Sequence, residues 1–204
     1  MSDVYVFGYL GSGVNHLRWL ILLSDAFSFG KCNSLDDKIY YIEKKVYNDK
    51  RTYQTWIDVE RQHKKVLRSQ NVHVNHNVWS EEEYFKIRKE KSIFLDSDPE
   101  RCLKHYFMLS SNLNGFINKH FLWSVHLNRE KIISSLKEML IVNPTFLDFR
   151  ELSLSTVIDL EEYLTEKINY DAANYVHGLW YDLKTKAEAD FLNDVSVLYK
   201  ERLK

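Results

Sequence analysis

"VYVFGYLGSGVNHLRWLILL", Val4 to Leu23, decides how the chain is read: an apolar extended run, a cluster of glycines, then apolar residues at helical spacing. The chain has 6 glycines in 204 residues, and Gly8, Gly11 and Gly13 all fall in this one turn. Glycine admits positive φ and close backbone approach, and a helix beginning there presents unpaired N–H groups and the positive end of its dipole. A phosphate or sulfate suits such a turn. A tight corner that binds nothing is the plain alternative.

Outward from the turn, strand and helix signals alternate. Asp3–Gly8 is predicted as a strand, and Leu17–Phe27 as a helix carrying Leu17, Leu20, Ile21 and Phe27 on one side. Lys38–Tyr47 reads as an extended edge segment, and Arg51–Gln70 as an amphipathic helix with a basic face of Arg61, Lys64, Lys65 and Arg68. "NVHVNHNVW" alternates with a period of two and predicts a strand ending near His76; Ser80–Glu83 then has the form of a capping box. "KSIFLD" is a further strand, and "SDPERCLKHYF" opens a helix with Asp98 as cap and Pro99 at the first helical position. A helical stretch over 112–140 ends at Asn143-Pro144, "TFLDF" reads as a short strand, and Ser155 begins a helix. From Tyr170 onward the pattern is helical, with Trp180, Leu183, Phe191, Val195 and Leu198 buried.

This alternation predicts a three-layer α/β fold, a mainly parallel central sheet flanked by helices, as one domain over 1–204. In such a sheet ligands sit beyond the carboxyl ends of the strands, where residues 8–16 would lie. Lys and Arg total 28 against 29 Asp and Glu, so the net charge of −1 gives no bulk attraction to nucleic acid or to an anionic membrane. Any anion site must therefore be local. Cys32 and Cys102 form no CxxC pair, which suits a reducing compartment, and the start lacks a basic leader; a cytoplasmic, soluble protein is expected.

Spacing narrows the anion. Gly8 and Gly13 stand as the two glycines of G-x-x-x-x-G-K-[ST] do, but Val14 and Asn15 occupy the places of the lysine and the hydroxyl residue. That disfavours Mg-ATP chemistry, because the γ-phosphate loses its point charge and the metal a ligand. His16, where a third glycine belongs, also disfavours the G-x-G-x-x-G dinucleotide turn.

The order of landmarks resembles that of sulfotransferases using 3'-phosphoadenosine 5'-phosphosulfate (PAPS), a family with a P-loop-type turn. The strand leading into "LGSGVNHLR", the strand ending "NHN", "SIFLDSDPERCLKHYF" and "FLDFRELSLSTVIDLEEYL" carry the resemblance across most of the chain. It implies that Gly11, Ser12, Gly13, Val14 and Asn15 surround the 5'-phosphosulfate. It implies that Ser97 and His105 stand at the 3'-phosphate element, and that His76 is the base taking the proton of an acceptor hydroxyl. Sulfuryl transfer from PAPS to a small-molecule or glycan acceptor is the function it implies, with neither nucleic acid nor membrane as partner.

Three anchors differ from the family's pattern. Gly11 stands in place of lysine or arginine, Ser97 in place of arginine and His105 in place of serine; the basic C-terminal segment is matched only by Gly178 and Lys184 of "YVHGLWYDLK". A charge-assisted contact contributes roughly 1.5–3 kcal/mol, so two lost cations weaken binding by orders of magnitude. Arg18 and His16 are candidate replacements, Arg18 the better because guanidinium stays charged and grips oxyanions with paired hydrogen bonds. Two other functions remain open: a non-catalytic member of this fold that binds a phosphorylated ligand or a protein partner, and a nucleotide or nucleoside phosphotransferase. His73 and His76 form H-x-x-H, but on a strand they face opposite ways and share no metal. Tyr40, Tyr41, Trp79, Tyr84 and Trp123 are core residues first and acceptor-pocket candidates second.

Overall fold

The computed structural model describes residues 3–9, 11–27, 32, 34–43, 71–75, 90–98, 101–102 and 139–202. Among them β1 (Val4–Phe7), β2 (Val72–Asn75), β3 (Lys91–Leu95) and β4 (Met139–Val142) form one sheet in the order β2-β1-β3-β4. All three pairings are parallel, so the α/β class and the parallel sheet read from the sequence stand. Val4 lies opposite Val72 and Lys91, and Ser92 opposite Met139.

Because side chains alternate along a strand, this register puts Val4, Val6, Val72, Ile93, Leu95 and Val142 on one face. They join a single apolar cluster with the helix α1 (Val14–Leu22), which packs against β1 and β2. Tyr5, Phe7, His73 and Phe94 stand on the other face, where Tyr5 stacks on His73 with ring centroids 4.8 Å apart. Every residue of α1 is buried, Asn15, His16 and Arg18 included. A helix covered all round is a core element, and its polar residues must find partners inside the protein.

The long helix α4 (Tyr170–Arg202) packs on α1. Its buried residues Ala173, Val176, His177, Trp180, Leu183 and Lys184 recur three and four apart, a single stripe. Trp180, Leu183 and Phe191 are buried as their spacing predicts; the side chains of Val195 and Leu198 lie outside the described residues. The preceding helix α3 (Leu154–Leu164) starts from Ser153 and packs near β4.

Four local expectations are corrected. Lys38–Tyr47 does not begin as an edge strand: α2 (Leu35–Tyr41) is helical, because Ser34 caps it, its hydroxyl accepting from the Asp37 amide at 3.2 Å, with Asp36 and Asp37 in the first turn. Lys38 is buried rather than solvent-facing, its ammonium donating to the Ser24 carbonyl at 2.6 Å and to that of Phe27. Met139 and Leu140 belong to β4 and not to a helix end, and "TFLDF" forms a 3-10 turn, Pro144–Asp148, opened by Asn143, whose Oδ1 accepts from the Thr145 amide at 2.9 Å. The helix expected from Leu17 starts three residues earlier and ends at Leu22. The basic helix over 51–70, the capping box at Ser80 and the helix over 112–138 lie outside the described residues.

Ile93 is fully buried at the sheet centre, whereas Ile141 on the opposite face of β4 is 49% exposed. Ile93→Ala is expected to cost about 2–5 kcal/mol in urea unfolding, and Ile141→Ala about 0.5 kcal/mol or less. Equal losses would contradict this assignment of faces.

Candidate oxyanion site

β1 ends at Phe7, and the chain reaches α1 through a turn that glycine makes possible. Gly11 has φ 83° and Gly13 φ 93°, left-handed values that side-chain-bearing residues rarely adopt. A side chain at Gly8 would run into Val14 and would stand 2.6 Å from Ser12 Oγ. Gly13 is the N-cap of α1 and has no side chain with which to cap it. The first amides of a helix have no acceptor within it, so this end of α1 offers N–H groups and about half a positive charge. The Ser12 amide is already committed, donating to the Tyr9 carbonyl at 3.0 Å.

The strand order β2-β1-β3-β4 reverses direction between β1 and β3, the position where doubly wound sheets bind ligands. The segment after β3 meets the glycine turn there: Ser97 Oγ donates to the Ser12 carbonyl at 3.2 Å, and both residues are buried. Asp98 opens the next helix, its carboxylate accepting from the Arg101 amide at 3.1 Å, as the sequence predicts. The segment after β4 arrives from a third side, where Leu147 fills the space beside Gly13; a Cβ there would lie 2.8 Å from Leu147 Cδ1.

Polar side chains, some buried and some at the surface, hold that third segment. Arg101 donates to the Pro144 carbonyl at 2.9 Å and pairs with Asp148; Lys184 donates to the Leu147 carbonyl at 3.2 Å. Arg150 pairs with Asp182 through two hydrogen bonds of 2.9 and 3.1 Å, its guanidinium beside Gly178. His177 bonds the Phe149 carbonyl through Nε2 at 2.8 Å and His16 Nε2 through Nδ1 at 2.9 Å. A carbonyl only accepts, so Nε2 of His177 carries the hydrogen, its Nδ1 accepts, and His16 Nε2 donates. The His16 ring lies on Trp180, centroids 4.2 Å apart and planes 11° from parallel.

The candidate residues are distributed as follows. Gly11, Ser12, Gly13, Val14 and Asn15 form the turn and the start of α1, and Ser97 is bonded to it. His16 turns into the α1–α4 contact, toward His177. Arg18 is 8% exposed on α1; burial lowers its pKa only to about 10, so it stays a cation at neutral pH. His76 and His105 lie outside the described residues. His73 pairs with Asp3 at 3.4 Å, and among the described residues no group of His, Cys, Asp or Glu could hold a metal ion. Cys102 is no nucleophile here, since burial first and then Asp98 push its thiol up to about 12. Cys32 and Cys102 are both free thiols.

The sequence reading missed His177 and Arg101. The signal for His177 was present: it stands three residues before Trp180 and one after Val176, on the buried stripe of α4. Arg101 carried none, because its partners come from the segment after β4. Among the described residues no helix is long and apolar enough to cross a membrane. Comparison with protein-family models, curated proteins and solved structures found no match.

Gly13→Ala is expected to destabilise the fold by about 2 kcal/mol or more, from the left-handed conformation and the collision with Leu147 together. Urea unfolding reads this directly. A second expectation concerns pH. Burial pushes the His177 pKa below the ordinary histidine value, partly offset by the Phe149 carbonyl and reinforced by Lys184. The unfolded chain therefore takes up this proton first as pH falls below about 6.5, and stability present above that value is lost on acidification. Unfolding at pH 7.5 and 5.5 measures the loss, and His177→Gln is expected to remove the part due to this residue.

Proposed function

We propose that the β1–α1 turn binds the anionic group of a phosphate- or phosphosulfate-bearing ligand, and that the chain's reaction is sulfuryl transfer from PAPS to a hydroxyl acceptor. The observation that carries the reading is the meeting of three segments, those after β1, β3 and β4, at a glycine turn that opens a helix. The turn has the chemistry an oxyanion needs: amides at a helix start and the Ser12 hydroxyl, which is fully buried and has no hydrogen-bond partner among the described residues.

In this reading the amides of Val14 and Asn15 hold the anion by its oxygens, and Ser97 keeps the turn in shape through the Ser12 carbonyl. PAPS supplies a sulfuryl group on a phosphate leaving group. His76 takes the proton of the acceptor hydroxyl as its oxygen bonds to sulfur and the sulfur–oxygen bond to the phosphate breaks. Arg18 remains the cation of α1 best suited to add charge.

A second reading, a non-catalytic member that binds a phosphorylated ligand or a protein partner, draws on a different observation. Residues 8–15 contain no lysine or arginine, and the Ser12 amide is spent on Tyr9. A nucleotide or nucleoside phosphotransferase is the third, with Val14 and Asn15 against it.

Thermal unfolding with ligands separates the three. Adenosine 3',5'-bisphosphate at a hundredfold excess over its Kd is expected to stabilise the chain by about 2.7 kcal/mol, and Mg-ATP to give no shift. Stabilisation by Mg-ATP instead supports the phosphotransferase, and stabilisation by neither defeats the sulfotransferase reading. With a PAPS donor, His76→Ala is expected to abolish turnover while leaving this stabilisation in place; unchanged turnover removes His76 from the reaction.

A further inference from the structure

We propose that anion binding at the β1–α1 turn is coupled to proton uptake by His16, so that the site binds more tightly as pH falls. The inference rests on the anion site proposed above and adds its regulation. His16 is the third residue of α1, so its ring belongs to the same helical turn whose amides face the anion. The ring is fully buried, and charges there act on one another with little screening by water.

The hydrogen-bond chain fixes where the proton goes. With Phe149 as terminal acceptor and His16 Nε2 as donor to His177, neutral His16 keeps its lone pair on Nδ1. Protonation at Nδ1 leaves both hydrogen bonds intact, because His16 Nε2 goes on donating to His177 Nδ1. Protonation of His177 instead sets two N–H groups against each other and breaks the chain. His16 is thus the member of the pair that can gain a charge without losing its contact, and Trp180, stacked on it, offers an aromatic face to the cation.

Positive groups oppose that charge in the absence of an anion. From α1 itself comes the dipole of the helix start. From α4 comes Lys184, its ammonium 5.4 Å from the centroid of Trp180, with Glu188 3.9 Å from it as partial counter-charge. The segment after β4 contributes the Phe149 carbonyl and the Phe146 ring; its Asp148 pairs with Arg101 and its Arg150 with Asp182, and Glu151 is exposed to solvent. A sulfate or phosphate at the start of α1 offsets the dipole and makes the imidazolium easier to form. Linkage is reciprocal, so the proton raises anion affinity by the factor by which the anion raises proton affinity.

Inorganic sulfate is the probe, since it stays fully ionised between pH 5 and 8 and brings no titration of its own. The His16 ring of the chain is followed by NMR through a pH titration with and without saturating sulfate, its resonances assigned by through-bond correlation to the His16 backbone. Sulfate is expected to raise the His16 pKa by about one unit, equivalent to a tenfold gain in affinity on protonation. Sulfate affinity in His16→Gln, whose side-chain amide can still donate to His177, is expected to be independent of pH. Should that variant not fold, the wild-type titration decides alone. Sulfate binding with an unmoved His16 pKa overturns the coupling and leaves the anion site standing. No sulfate binding at any pH removes the anion site, and this inference with it.

Discussion

At Gly13 the backbone adopts φ 93° while Leu147 occupies the space where a side chain would stand, and the geometry around the turn follows from that double constraint. The left-handed residue turns the chain from the glycine run into α1 without a capping side chain. The missing Cβ lets the segment after β4 close over the turn. From there Lys184, Arg101 and His177 each reach a backbone carbonyl of that segment, so α4 and the helix begun by Asp98 are tied to the same place. One residue's lack of a side chain thus joins elements distant in sequence.

Five buried polar residues are tied in around the turn and the contact of α1 with α4. His16, His177, Ser12, Ser97 and Lys184 are all buried, and hydrogen bonds link them to one another or to the segments that follow the strands. Burying polar atoms costs free energy unless hydrogen bonds replace those lost from water; the bonds of Ser97 and Lys184 restrain loops, and that of His16 to His177 joins α1 to α4. A sheet end built this way is cross-tied where doubly wound folds place their ligands.

How much of this was legible depended on the range of the interaction. β1, the glycine turn, β3, the Asp98 cap and the buried stripe of α4 declare themselves within a few residues through period, cap or glycine placement. Lys38 did not, because its burial depends on carbonyls at Ser24 and Phe27. The run from Lys38 to Tyr47 reads as an extended edge segment; the serine at 34 followed by two aspartates was the better local signal for a helix. "TFLDF" has the apolar, aromatic make-up of a strand, yet Asn143-Pro144 opens a 3-10 turn that takes in Thr145 to Asp148. For the site, the glycines were visible and the histidine pair was not, since His16 and His177 stand at opposite ends of the sequence and meet only once α4 lies on α1.

The pairing of Val4 with both Val72 and Lys91 also bears on how the molecule assembles. β1 precedes each of its neighbours by a long stretch of chain, so the described strands form no hairpin with one another, and loop closure must be met before any of these ladders forms. High contact order of this kind slows folding, and until β2 and β3 arrive the run Val4–Phe7 has two unsatisfied edges.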